Sequence, residues 1–593
     1  MIRSRSAHSF SLFISIIAVA MLPLLAAACS KQKEEIHPQV EGQGGKKYGG
    51  AYRMNILRGS PKGLDPVLIN SKHADDIASQ IFDRLIDLND TLGLVPELAR
   101  SLPKINANGT VFTFDLRTDI YFQDDPCFPG GKGRKMTAED VRYSLTRCCD
   151  PRTQSVAYSF FKGKVKGATE YYNAIFDSTK SGRGKTLAAI PGLRALNDST
   201  FEIELTEPYA PFLYYLVNSL GDVIPHEGVE MYRENFFRHP VGTGPFSFVS
   251  WTPDQELVLK RNPKYWGKDP QGNRLPFLDE IRFKFIQDDK IQLNEFLGGH
   301  LDESFGIPTE HFTEVVDSAQ KPKGSYVKYQ LQSAPAMLTW FFDFNNQKAP
   351  FNNINVRKAF NYAIDREKLV RFALQNAPYA PAVHGLVPPV FPNYPTNDVK
   401  GYGYDPDQAK RLLAQAGFPD GKGFPTVTLH IYTDPRLGQV AQAVQAMLRT
   451  ELNVNIEIQR LELPQLLDQA ESGKLLFWGT RWYGDYPDPE TYLILLNGEL
   501  VPSDEAQPSY PNSSRYNNPE FVANFKKGVA TIDHLAQMKH YADAENIAMA
   551  DAPIMPLFYE RHYRLLQPYV RDCPLDAMAR YDLKYTWLDD AKR

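Results

Sequence analysis

The sequence is poor in the groups that carry covalent chemistry. Five cysteines in 593 residues include no C-x-x-C pair and no His-Cys set at zinc spacing, which excludes a zinc ribbon or a dithiol redox centre. G-x-S-x-G and H-E-x-x-H are both missing, so neither a nucleophile elbow nor a zincin helix is on offer. The twelve histidines are scattered, with no two at helical ligand spacing beside an acid. No metal or cofactor site is expected. Gly130-Gly131-Lys132-Gly133 lacks the G-x-x-x-x-G-K-[ST] frame that aims backbone amides at phosphates, and reads as a surface turn. Basic excess is missing too: 66 Lys and Arg against 70 Asp and Glu leave a net charge of −4, which speaks against nucleic acid as a partner. Beyond residue 28 no apolar run reaches the ~20 residues of a membrane-spanning helix.

What is present begins at the N-terminus. Arg3 and Arg5 precede an apolar run from Phe10 to Ala28, and the first acid is Glu34, the pattern of an export signal. The run ends Leu24-Leu25-Ala26-Ala27-Ala28-Cys29, which resembles a bacterial lipobox, with Ala26 where Leu is usual. That resemblance implies removal of residues 1–28, acylation of Cys29 and a lipid anchor, with residues 29–47, polar and Gly-rich, as a flexible tether. In an oxidising compartment the remaining cysteines have the option of pairing. Adjacent Cys148 and Cys149 bridge only with strain, so a bond from one of them to Cys127 is the better disulfide, and free thiols together with Cys573 are the other outcome.

The rest of the chain is too long for one core, and two or three domains are expected. Ala74 to Leu85 has the apolar spacing of a helix, with Ile77, Ile81, Phe82 and Leu85 on one face. Thr110 to Leu116 and Phe201 to Leu205 alternate as half-buried strands. Thr137 to Val141 is a capped helix start. From about residue 345 helices and strands take turns. Asp405-Pro406-Asp407-Gln408 opens a helix with a capping aspartate. Strands at Val427 to Ile431 and Val454 to Ile458 follow, with helices between, and then the apolar run Leu475 to Trp478. This β-α-β-α-β succession implies a mainly parallel sheet covered by helices. At the end of its last strand stands Arg481-Trp482-Tyr483-Gly484-Asp485-Tyr486-Pro487-Asp488-Pro489. The carboxyl ends of such strands collect ligands. A carboxylate beside Trp and Tyr suits an ammonium group, because the charge is paired while the rings exclude water. Asp485 and Asp488 also offer a carboxylate pair for acid/base chemistry, but prolines hold both on one turn, and glycoside hydrolysis needs two opposed groups.

Seven stretches in series resemble the family 5 extracellular solute-binding proteins. They are Gly63-Leu64-Asp65-Pro66, Met136 to Arg147, Val241 to Phe246, Arg261 to Trp266, Asn345 to Phe351 with the helix to Arg366, Tyr404 to Gly417, and Gly484-Asp485-Tyr486. The resemblance implies a mixed α/β fold of the type II periplasmic-binding-protein kind, a three-domain bilobal receptor with a hinged cleft. Its discontinuous first domain takes residues 48–85, 206–344 and 554–593. A small β-rich second domain takes 86–205 and an α/β third domain takes 345–553, with hinges near Phe344 and Ile554. It further implies a lipid-anchored monomer outside the cytoplasm, on the periplasmic or cell-surface side of a bacterial membrane, that passes a short peptide to the permease subunits of an ABC importer. Asp485 would pair with the peptide's α-ammonium and Trp482 would line a side-chain pocket. Tyr483, Arg481, Phe342 and Tyr559 complete the expected lining. Arg481 stands where peptide-binding members carry a small residue; it reaches a ligand carboxylate, fills part of the groove, or points outward from an alternating strand. The alternatives are the same fold holding a metal complex, glutathione, haem or an oligosaccharide, a sensor with no importer, and an extracytoplasmic hydrolase.

Overall fold

The computed structural model describes residues 39–56, 59–181 and 189–592. The signal segment, Cys29 and residues up to 38 lie outside them. The tether expected over 29–47 is already structured at its end. Val40–Glu41 pairs with Lys47–Tyr48, Gln39 donates to the Leu588 carbonyl, and Lys47 pairs with Asp589 at 2.6 Å.

The first structural unit is a four-stranded sheet in which Ala51–Asn55 runs parallel to Glu280–Lys284, followed by Glu256–Arg261 and Phe246–Thr252. Alternation puts Tyr52, Met54, Leu257, Leu259, Ile281 and Phe283 into one core, which Tyr569, Tyr581 and Leu588 from the far end of the chain complete. The helix expected from Ala74 to Leu85 spans only Lys72–Ala78. Beyond it the backbone serves the Gly-rich bend instead: Gly244 N–H donates to the Ile81 carbonyl at 2.9 Å and Phe246 N–H to the Gln80 carbonyl. A Cβ on Gly242 would sit 2.3 Å from the Ile81 oxygen, so the bend needs its glycines for close approach.

A second four-stranded sheet pairs Val111–Asp115 with Thr200–Glu204. It is covered by Ala138–Cys148, whose start is the capping box of Thr137 and Asp140. Arg147 of that helix makes a bidentate pair with Asp65, at 2.9 and 2.8 Å, tying two of the motif stretches together. The segment from Tyr209 to Val217, expected in the first domain, packs here. Phe212 lies 5.9 Å from Phe112 and 6.4 Å from Phe161, ring to ring, because its apolar face fills the space beneath this sheet. Cys127, Cys148, Cys149 and Cys573 are all free thiols, so the bridge to Cys127 is not formed.

The third sheet has seven strands. Val427–Tyr432, Ile456–Leu461 and Phe477–Tyr483 are parallel, with Pro435–Leu452 and Leu463–Glu471 as the crossover helices. Two long antiparallel strands, Gln330–Phe344 and Ile554–Leu566, carry this sheet back to the first unit, where Glu303–Phe305 joins them. The ladder between them is interrupted at Pro335–Thr339 and again at Trp340–Phe341. At the expected hinge, Phe344 is fully buried and stacks on Phe351 at 4.7 Å and on Phe477 at 5.2 Å.

Candidate functional site

The strand Phe477–Tyr483 sorts its side chains by parity. Phe477, Gly479, Arg481 and Tyr483 face one side, opposite Phe344, Phe342, Trp340 and Leu338; Trp478, Thr480 and Trp482 face the other, opposite Asp343, Phe341 and Thr339. After Tyr483 the chain turns through Gly484, whose N–H donates to the Met337 carbonyl at 2.9 Å. A Cβ there would lie 2.5 Å from the Met337 methyl carbon and 3.1 Å from Thr491 and Tyr492, so a larger residue would have to displace the Met337 side chain. Buried Thr491 then fixes the geometry with one oxygen: Asp485 N–H donates to it at 3.2 Å and the Trp482 indole at 3.3 Å.

Asp485 is the group this scaffold presents. Its side chain is exposed, yet burial of its surroundings and then the charge of Glu490 push its pKa up to about 6. Its neighbour Trp482, not Asp485 itself, walls a small cavity. Among the described residues no cation pairs with Asp485. The second unit reaches over to this turn. Asn218 donates to the Asp485 carbonyl at 3.4 Å, and Tyr215 packs edge-on to Tyr486 at 5.1 Å. Behind the turn, Glu490 is buried and accepts from Tyr209 at 3.1 Å and from Tyr486, while the Lys164 ammonium lies 4.8 and 5.1 Å from the rings of Tyr209 and Tyr215. A polar seam between units thus runs beneath the unpaired carboxylate.

Set beside known proteins, residues 93–501 match the family model for bacterial extracellular solute-binding proteins, family 5. The chain belongs to family 5. Its fold is that of the type II periplasmic binding proteins. The periplasmic oligopeptide-binding protein OppA of Salmonella typhimurium is 26% identical over 567 residues, 94% of this chain and 95% of that protein. The heme-binding protein A of Haemophilus influenzae is equally similar, 26% over 565 residues, 94% and 95% of the two chains. Among solved structures, the unliganded open form of the murein tripeptide binding protein MppA superposes with a TM-score of 0.72 at 23% identity, over 93% of this chain and 98% of that one. Members of this family are binding proteins, and at that level this chain is not an enzyme.

The other expected lining residues of this family 5 chain divide. Trp482 is half-buried on the Asp485 side and walls a small cavity. Tyr483 faces the first unit, with its oxygen 3.4 Å from His562 Nε2. His562 is neutral, since burial lowers its pKa to about 4. Arg481 lies on the face away from Trp482, its guanidinium 4.9 Å from the Trp340 ring centroid and 5.8 Å from that of Tyr432, with no acid paired to it among the described residues. It therefore does not fill the Trp482 cavity. Two residues expected in the cleft are core. Phe342 is fully buried against Phe477, because an even-numbered position on its strand faces the aromatic cluster. Tyr559 is buried with its hydroxyl spent on Gly385, donating to the carbonyl at 2.9 Å and accepting from the N–H at 3.2 Å. Asp488 is buried just before the next helix, accepting from Glu490 N–H at 2.9 Å and from Gln537 at 3.2 Å. Burial raises its pKa to about 7. It does not face Asp485 across a gap, so the acid/base pair is not assembled. Sequence reasoning passed over Asn218, Thr491, Tyr510 and Asp343. Only the last carried a signal, one acid inside the apolar run Met337 to Phe344.

Proposed function

We propose that this protein is an extracytoplasmic receptor that captures a short peptide between its units and delivers it to an ABC importer, acting as a monomer anchored through acylated Cys29. The observation that carries the reading is Asp485, an exposed carboxylate with no cation paired to it among the described residues, held beside Trp482 by their shared bond to Thr491 at the seam between units. A peptide's α-ammonium meets that carboxylate as a charge-assisted pair, and the strand edges around it supply backbone hydrogen bonds independent of peptide sequence. Tyr483 borders the site from the first unit's side. Arg481, stacked on Trp340 and free of an acid, is placed to accept a ligand carboxylate at the other end of the site. The two long strands, with their interrupted ladder at Pro335–Thr339, are the hinge about which the units close.

The test is the ligand itself. Protein purified without refolding and released from its cargo by mild denaturation is examined by native mass spectrometry. Peptides of two to several residues, rebinding to the emptied protein, are the expected result. A haem, a metal complex or an oligosaccharide recovered instead, with no binding of peptide mixtures, overturns the peptide assignment and leaves the family intact.

A further inference from the structure

The Trp482 face of the cleft strand bounds a cavity of ≈ 60 Å³ walled by Phe341, Asp343, Leu467, Trp478, Trp482 and Tyr510. Asp343 lies directly opposite Trp478 in the ladder and is 5% exposed. Among the described residues its carboxyl has no hydrogen bond and no ion pair. Other buried carboxylates have partners among the described residues: Asp302, Asp222 and Glu303 are ion-paired with Arg53, Arg84 and Arg564, while Asp83, Asp488, Glu490 and Glu545 accept hydrogen bonds. Leaving one unpaired is costly, so a bare acid that walls a cavity needs a reason. The only other titratable acid on the cavity wall is Glu471, and no Lys, Arg or His lines it. Burial raises the pKa of both acids, that of Asp343 to about 8.

The remaining walls suit a cation. Phe341, Trp478, Trp482 and Tyr510 surround it with aromatic rings, which attract an ammonium and shield it from water. The volume is several times the ~15 Å³ that one water requires, enough for a linear alkylammonium and not for a second ring. The mouth is open, since Leu467 is 42% and Tyr510 63% exposed. Trp482 both walls the cavity and shares Thr491 Oγ1 with the Asp485 N–H, which sets the cavity beside the proposed peptide site.

We propose that this cavity is a side-chain subsite for a primary ammonium on an aliphatic stem, a lysine side chain of the bound peptide, with Asp343 as its counter-ion. This rests on the peptide reading above. Asp485 takes the backbone ammonium and Asp343 selects the charge of a residue further along. The receptor thereby favours cationic peptides over neutral ones of equal size.

The experiment compares peptides that are identical except for lysine or norleucine at each of the first four positions, titrated calorimetrically into the ligand-free protein. Norleucine keeps the stem and removes the charge. At one position lysine is expected to bind about tenfold tighter or more, close to the 1.4 kcal/mol of a tenfold change in affinity. Asp343→Asn should erase that preference, bringing lysine and norleucine peptides to within about twofold of each other. Equal affinity of lysine and norleucine peptides at every position, with both bound, overturns the subsite and leaves the receptor reading standing. Failure of both series to bind overturns the receptor reading, and the subsite falls with it. The wild-type comparison decides the matter even if the variant does not fold.

Discussion

The two faces of the strand Phe477–Tyr483 come from the same seven residues and end in opposite states. On one face Phe477 closes against Phe342, Phe344, Phe351 and Phe360, ring on ring. On the other, Trp478 and Trp482 stop short of closure and leave a cavity with an unpaired acid. A half-buried strand ordinarily separates core from solvent; this one separates core from a recess. The core face holds the strand rigidly enough that the turn after it, drawn in at Gly484, sets Asp485 in one place. On the proposed function, the ring cluster of the first face serves mainly stability, and the Trp482 side of the second face serves binding.

Substitutions on the two faces should therefore separate stability from affinity. The largest effect is expected from Phe342→Ala, which opens a hole among rings that have no way to collapse. Chemical denaturation should show a loss of about 3–5 kcal/mol, with peptide affinity of the remaining folded protein little changed. Comparable loss of affinity would mean that the aromatic face is part of the site. Next is Asp485→Ala, for which titration calorimetry should show peptide binding weakened by about 2–5 kcal/mol and thermal stability not reduced. Unchanged affinity removes Asp485 from the site. Because its pKa in the free protein is raised to about 6 and an ammonium favours the ionised form, affinity should hold above that pH and fall as pH drops through it.

The third effect is on stability and has the opposite sign to the first. The Asp343 pKa is raised from 3.8 to about 8, so ionisation opposes folding: its contribution is best below the unfolded value and is lost as pH rises toward 8. Asp343→Asn should then raise the melting temperature of the ligand-free protein, more near pH 8 than near about pH 5. A uniform decrease at both pH values would show the carboxyl to be a structural partner after all. The smallest effect is expected from Arg481→Ala, which loses stacking on Trp340 and Tyr432, about 0.5–1 kcal/mol of stability. A much larger change, confined to peptides with a free C-terminal carboxylate, would place Arg481 on the ligand.

Much of this was written in local patterns. The alternating helices and strands from residue 427 on appear as expected, since period-two and period-3.6 spacing is a property of the backbone and survives any tertiary arrangement. The Asp405 cap is of the same kind, accepting from Gln408 N–H at 2.8 Å. Phe342 and Tyr559 were misplaced for a shared reason. Each lies in a strand buried on both sides, where alternation no longer marks an inner and an outer face. The helix after Ala74 ended early because a bend some 160 residues later in the chain takes its backbone groups, a distance no local pattern spans.

By itself the sequence determined the family, the α/β character of the third sheet and the strand end on which Asp485 stands, because motifs and periodicity are local. Tertiary structure alone decided that Asp485 and Asp343 have no cation among the described residues, that Asp488 is spent on Glu490 N–H and Gln537, and that Arg481 and Trp482 face opposite ways. Those are facts of desolvation and pairing, and they depend on what the rest of the chain brings to the same place.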